Sequence, residues 1–175
     1  LGVLTFEPHP RSYFQGSSVP FRLTPFRQKV RVLAGLDLDL MVNLAFNPAM
    51  AGCVAQDFVK RHMLDGLGIS HLVTGPGFVF GKGRHGNSYI LDQMARMEGF
   101  GYTQAPFFEH QGQKVSSTEI RVMLRRGLVD QAAGLLGHFW ETEGHVQHGE
   151  KRGREMGFPT ANLSLDGLLH PGPGI

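Results

Sequence analysis

Val115-Ser116-Ser117-Thr118-Glu119-Ile120-Arg121 gathers three hydroxyls, a carboxylate and a guanidinium within two helical turns. Ser116 followed three residues later by Glu119 is a capping box that opens a helix. The same residues also suit an anion, because first-turn N–H groups, the helix dipole and Arg121 converge on one point. The two readings are compatible, and Ser116, Ser117, Thr118 and Arg121 are the candidates for a phosphate-bearing ligand. Further along, Phe158-Pro159-Thr160-Ala161-Asn162 sets Thr160 and Asn162 two apart, which in a strand puts both on one face. A hydroxyl and an amide oxygen are hard donors, suited to magnesium carried by a nucleotide phosphate. The preceding stretch is rich in glycine and holds Lys151, Arg152 and Arg154, which could close over phosphates; a solvated charged loop is the ordinary reading of such a run.

Three other segments carry weaker signals. Gly81-Lys82-Gly83-Arg84-His85-Gly86 fits Gly-x-Gly-x-x-Gly between a strand and a helix, where N–H groups can cradle a pyrophosphate. With 24 glycines in the chain, a plain glycine-rich turn explains the match equally well. Phe78 and Phe80 sit two apart on one side of an extended segment, either as core residues or as an apolar wall for a flat ring. Phe6-Glu7-Pro8-His9-Pro10 is either an acid/base pair or a rigid strand exit. The nine histidines lack the partners of a zinc site, and the single Cys53 excludes both an internal disulfide and a thiolate cluster. Cys53 reads as a small packed residue.

These residues need elements to hold them. Residues 3–6 are apolar and β-prone and end at Pro8 and Pro10, which delivers Glu7 and His9 to a strand's C-terminal edge. Thr24-Pro25 reads as an N-cap with proline at the first helical position, and Phe26, Val30 and Leu33 give the helical period. A strand over 38–44, a helix over 56–64, a strand over 71–74, a helix over 88–98 and a strand over 102–108 follow. Such alternation predicts a parallel sheet covered by helices on both faces, with ligands outside the strands' C-terminal ends. Two short helices over 117–126 and 129–136 come next, each followed by a glycine, and Gly137 marks a domain edge. Beyond it, 140–148 and 159–165 read as extended, with no helical period; this part is too short to fold alone.

Composition limits the function classes. Hydrophobic residues make up 41% and charged residues 18%, with no apolar run long enough for a membrane span. Seventeen basic against fifteen acidic residues leave a net charge of +2, which is no nucleic-acid footprint, so small anionic ligands are favoured.

In sum the segments resemble the bifunctional prokaryotic riboflavin kinase/FAD synthetases, in the family's order and along almost the whole chain. The resemblance implies an FMN adenylyltransferase (FAD synthetase) domain over 1–137, a nucleotidyltransferase-type Rossmann-like α/β fold with a parallel sheet and helices on both faces. Over 138–175 it implies the truncated start of a riboflavin kinase β-barrel. By resemblance, Ser116, Ser117, Thr118 and Arg121 approach ATP, while Phe6, Pro8, His9, Phe78, Phe80 and Gly81 line the flavin side. Gly149, Gly153, Arg154 and Gly157 belong to a kinase flap over phosphate, and Thr160 and Asn162 bind magnesium. The implied ligands are Mg2+, with ATP, riboflavin and FMN as substrates and FAD as product. The resemblance also implies small-molecule partners rather than nucleic acid or membrane, and a cytoplasmic location.

The family's His-x-Gly-His signature and kinase glutamate would fall upstream of Leu1 and downstream of Ile175. The chain is therefore expected to be a fragment, weak or inactive in both reactions. Gly77, preceded by Pro76, stands where the family usually has an acidic or amide residue. The competing classes are a Rossmann-type nicotinamide or flavin oxidoreductase, a lone pantetheine- or nicotinamide-type adenylyltransferase, and a non-catalytic flavin-binding module. The first would bind NAD(P) without ATP, the second lacks the Pro-Thr-Ala-Asn element, and the third would take up FMN but ignore Mg-ATP.

Overall fold

The computed structural model describes residues 1–16, 20–148, 157–158, 161–165 and 167–173. Strand β1 (Gly2–Glu7) leads through α1 (Pro10–Gln15) and α2 (Phe26–Ala34) to β2 (Leu40–Ala45). After α3 (Pro48–Gly52), the turn α4 (Ala55–Asp57) continues as a π-helix over Phe58–Gly66. Then come β3 (His71–Thr74), α5 (Ser88–Glu98) and β4 (Gly101–Gln104). The hairpin of β5 (Glu109–His110) and β6 (Gln113–Lys114) precedes α6 (Ser117–Arg125) and α7 (Val129–Leu136). The last strands, β7 (Val146–Gln147) and β8 (Asn162–Leu163), pair antiparallel.

The architecture is mixed α/β with small parallel sheets. β1 pairs with β2, and the N–H groups of Asp39 and Phe46 reach the carbonyls of Leu1 and Glu7 at 3.0 and 2.9 Å, so the two strands run the same way. β3 and β4 are parallel in register, from His71 opposite Gly101 to Thr74 opposite Gln104. Where a single sheet was expected, the described strands form separate two-stranded pairs. The strand expected over 102–108 stops at Gln104. Ala105 still donates to the Thr74 carbonyl at 2.8 Å, but Pro106 has no N–H with which to extend the ladder. Thr24 is not an N-cap either: Pro25 takes that position with no side-chain bond. Of the extended stretch 140–148, only Val146–Gln147 joins a ladder.

The chain divides into two compact units. The first comprises Leu1–Thr5, Phe14–Asn43 and Val115–Ile175, the second Phe6–Tyr13 and Leu44–Lys114. In the second, Leu91, Met94 and Ala95 recur at helical spacing and bury one face of α5; Phe58, Val59, Met63 and Phe100 are buried as well. Asn87 caps that helix by accepting the Ile90 N–H at 3.1 Å, and Gly99, left-handed with φ 79°, ends it. In the first unit, Ile120 and Leu124 of α6 meet Ala132 and Leu135 of α7 and Leu169 in one core cluster. Among the described residues no helix is long and apolar enough to cross a membrane.

Candidate functional site

In the second unit the aromatic residues form a connected series. Tyr13 meets Phe46 edge-on at 5.3 Å, Phe46 meets Phe6 at 5.9 Å, and Phe6 lies 6.1 Å from Phe58. Phe58 in turn touches Phe80 at 5.8 Å, and Phe80 carries Phe78 stacked on it at 5.4 Å with planes only 15° apart. Phe80 is 9% exposed and Phe78 37%. The pair is thus part core and part wall: Phe80 anchors, and Phe78 offers a flat apolar face of the kind a planar ring stacks on.

Glycines hold this wall in place. Gly81, at φ 72°, lets the backbone press on Ala55; a Cβ there would stand 2.7 Å from the Ala55 nitrogen. The next N–H, of Lys82, donates to the Cys53 carbonyl at 2.7 Å. Phe80 and Gly86 exchange both backbone hydrogen bonds, at 3.1 and 2.9 Å, and the Phe80 ring covers Gly86 where a side chain would be. Arg84 N–H donates to the Gly81 carbonyl and His85 N–H to the Lys82 carbonyl. The donors of Lys82, Arg84, His85 and Gly86 are therefore engaged within the protein, which favours the packing-turn reading of this motif over a phosphate cradle. Burial, with Asp57 adding to it, pushes the Cys53 thiol up, consistent with a packed residue rather than a nucleophile.

Pro8 and His9 leave β1 exposed to solvent, after a cis Glu7–Pro8 peptide. His9 Nδ1 accepts the Arg11 N–H at 3.0 Å and its carbonyl accepts the Tyr13 N–H at 3.1 Å, so His9 opens α1. The strand exit is a local helix start. Phe6, Pro8, His9, Phe78, Phe80 and Gly81 all belong to this one unit.

The other group lies in the first unit. Ser116 is the N-cap of α6 and accepts the Glu119 N–H at 3.2 Å. Ser117 and Thr118 are exposed in the first turn. Arg121, half-buried, lies 5.4 Å from the Phe21 ring; its Nε donates to the Phe21 carbonyl at 2.8 Å and its Nη1 to the Ser117 carbonyl at 3.1 Å. Its position at the helix start is thus fixed by the backbone of a distant segment. Nothing around Phe21 in the sequence advertises that role.

Of the C-terminal candidates, Gly149, Gly153, Arg154 and Thr160 lie outside the described residues. Gly157 is exposed with φ 82°, and Asn162 is exposed on β8 opposite Gln147. Among the described residues no group of three His, Cys, Asp or Glu side chains could hold a metal ion. The pair expected from the sequence to hold magnesium, Thr160 and Asn162, is of another kind, a hydroxyl and an amide oxygen, and Thr160 lies outside the described residues.

Sequence reasoning missed Tyr13, Phe46 and Phe58 behind the aromatic wall and Phe21 beneath Arg121. Only Phe58 left a trace, in the helical phase of Phe58, Val59 and Met63. Trp140 was placed in an extended stretch; it is an anchor, donating its indole N–H to the Leu23 carbonyl at 2.8 Å.

A mixed α/β chain with small parallel sheets is a fold class consistent with a nucleotidyltransferase-like domain. Known proteins narrow it. The FAD synthetase family model matches residues 1–119 and the riboflavin kinase model residues 136–175. The chain belongs to the FAD synthetase family. It is 35% identical over 173 residues to the bifunctional riboflavin kinase/FMN adenylyltransferase of Escherichia coli (strain K12), covering 99% of this chain and 55% of that protein. The protein of the same description from Pseudomonas fluorescens is 38% identical with the same coverage, and that of Haemophilus influenzae 34% with 57% of its length covered. The chain thus spans about half the length of the curated relatives it matches. A crystal structure described as a macrolide-efflux protein from Streptococcus pneumoniae superimposes with a TM-score of 0.76 at 27% identity, over 99% of this chain and 56% of that one.

Proposed function

We propose that the chain serves FAD biosynthesis: residues 1–137 in the transfer of an adenylyl group from ATP to FMN, and residues 138–175 as the start of a module that phosphorylates riboflavin to FMN. The observation that carries this reading is the Phe78–Phe80 stack, a flat and half-open aromatic face held rigidly by Gly81 and Gly86. It suits an isoalloxazine ring, and the fold around it is of nucleotidyltransferase type in this proposal. Phe6, Pro8 and His9 share its unit and complete the flavin side. The capped start of α6 offers the triphosphate its exposed Ser117 and Thr118 and the charge of Arg121, with Ser116 fixing the first turn.

Both reactions attack a phosphorus atom of ATP, so the protein's work is to align the groups in line and offset growing negative charge. Neither reaction calls for a covalent nucleophile, and the upward-shifted Cys53 is not assigned one. In the kinase-side segment, Thr160 and Asn162 would hold magnesium, which neutralises charge on the nucleotide phosphates, and Gly149, Gly153, Arg154 and Gly157 form the flap beside it. A riboflavin kinase barrel is the architecture this segment would begin, and the cytoplasm is the compartment where ATP and flavins meet.

Titration calorimetry with FMN, riboflavin, Mg-ATP and NADP, paired with chromatographic separation of the flavins, tests the proposal. Binding of both FMN and Mg-ATP is expected, with no binding of NADP. Binding of NADP without ATP would overturn it in favour of an oxidoreductase. The efflux described for the Streptococcus protein is a statement about that protein.

A further inference from the structure

The segment 167–172 lies inside the stretch matched by the riboflavin kinase model, yet it contacts α6, a helix that lies ahead of that stretch and whose first turn is the end of the stretch matched by the FAD synthetase model. Leu169 is 1% exposed and packs with Ile120 and Leu124 of α6 and with Ala132 and Leu135 of α7. Its N–H donates to the Arg22 carbonyl at 2.8 Å, and the Arg22 N–H donates to the Gly167 carbonyl at 3.4 Å. Arg22 and Leu168 thereby form a parallel bridge. The residue before Arg22 is Phe21, whose carbonyl accepts Arg121 Nε and whose ring lies beneath the guanidinium. At the other end of the helix, the Gly172 N–H donates at 2.8 Å to the Leu124 carbonyl, which also accepts the Gly127 N–H at 3.1 Å where the helix ends. No side chain fits at Gly172, because a Cβ would collide with the Arg125 carbonyl oxygen.

The chain of contacts runs from 167–169 to Arg22, from its neighbour Phe21 to Arg121, and again from Gly172 to the C-terminal end of α6. We infer that residues 167–172 are a strap that positions Arg121 and holds α6 from both ends, so that a kinase-side segment governs the nucleotide side of the protein. Leu169 is the positioning residue; it touches no ligand and acts through Phe21 and Arg121. Because coupling is reciprocal, a nucleotide held at α6 also steadies the strap. The part of this that concerns nucleotide rests on the function proposed above; the part that concerns α6 does not.

Hydrogen exchange separates the two. In Leu169→Ala, amides of α6 and α7 should exchange at least tenfold faster while those of α5, in the other unit, keep their rates, and Leu169→Ile should restore most of the protection. If Leu169→Ala loses protection in α5 as well, Leu169→Val takes its place, with the same pattern expected at smaller amplitude. In the wild-type chain, saturating Mg-ATP should slow exchange of the Leu169 and Gly172 amides, and calorimetry should show Mg-ATP affinity falling at least fivefold in Leu169→Ala and recovering in Leu169→Ile. Unchanged α6 exchange in the folded variants overturns the strap. Faster α6 exchange with unchanged Mg-ATP affinity overturns the positioning of Arg121. Failure of the wild-type chain to bind Mg-ATP overturns the nucleotide role and removes the function proposed above, while the α6 result still decides whether the strap exists.

Discussion

Phe78 and Phe80 differ in what surrounds them, and so in what their loss should do. Phe80 is 9% exposed, packed on Phe58 and over Gly86, so truncation leaves a cavity. Phe80→Ala should cost about 3–5 kcal/mol of stability, the usual range for a buried phenylalanine. Phe78 is 37% exposed and stacks on Phe80, so Phe78→Ala should lose roughly 1 kcal/mol or less of stability yet weaken FMN binding about tenfold, the upper end of an aromatic stacking contribution. Denaturant unfolding and flavin fluorescence titration together check both; equal effects of the two substitutions on binding at equal stability would contradict the assignment of anchor and face. The spacing of two in Phe78-Val79-Phe80 was legible as a shared side. Which ring was buried was not, because that depends on Phe58, which packs on Phe80 from a distant segment on another element.

At the scale of elements, the turn after the aromatic segment shows how a close approach is encoded. Gly77 and Gly81 share a φ of 72°, but the site at Gly77 is open whereas a Cβ at Gly81 would meet the Ala55 backbone. Gly77→Ala should cost about 1–2 kcal/mol, the penalty of a left-handed conformation for a residue with a Cβ. Gly81→Ala bears the same penalty plus overpacking of roughly 1–3 kcal/mol. Comparing the two variants by thermal or denaturant unfolding isolates the steric part; equal losses would deny the contact with Ala55. Helices α5, α6 and α7 were readable in the sequence because caps and apolar period agree locally: Asn87, Ser116, Gly99 and Gly137 sit where the chain must turn. The short α1 and α3 were not seen, since six and five residues give no period to read. The strand ending at Gln104 was overextended because Phe107 and Phe108 look β-prone, while Pro106 removes the donor that pairing needs.

At the scale of the whole molecule, ligands that bind the folded chain should stabilise it by mass action. FMN or Mg-ATP at about one hundred times its dissociation constant should each add roughly 2.7 kcal/mol to the unfolding free energy, and NADP none. Thermal unfolding with each ligand measures this, and stabilisation by NADP alone would count against an adenylyltransferase. Motif order along the chain was enough to assign the family, because glycines, prolines and hydroxyls at fixed spacing dictate local backbone whatever surrounds them. Alternation of strands and helices likewise gave an α/β chain with parallel pairing. What local signals could not carry was long-range company: the aromatic series behind Phe80, the Phe21 carbonyl beneath Arg121, and Leu169 in the core of α6 and α7. The glycine motif at 81–86 shows the same limit from the other side. Its sequence allowed a phosphate cradle, and only the folded backbone, by giving four of its N–H groups to the carbonyls of Cys53, Phe80, Gly81 and Lys82, favours packing instead. Sequence determines which conformations a segment can adopt; tertiary structure decides which donors, faces and cavities remain for a ligand, because burial and hydrogen bonding are settled by partners far away in the chain.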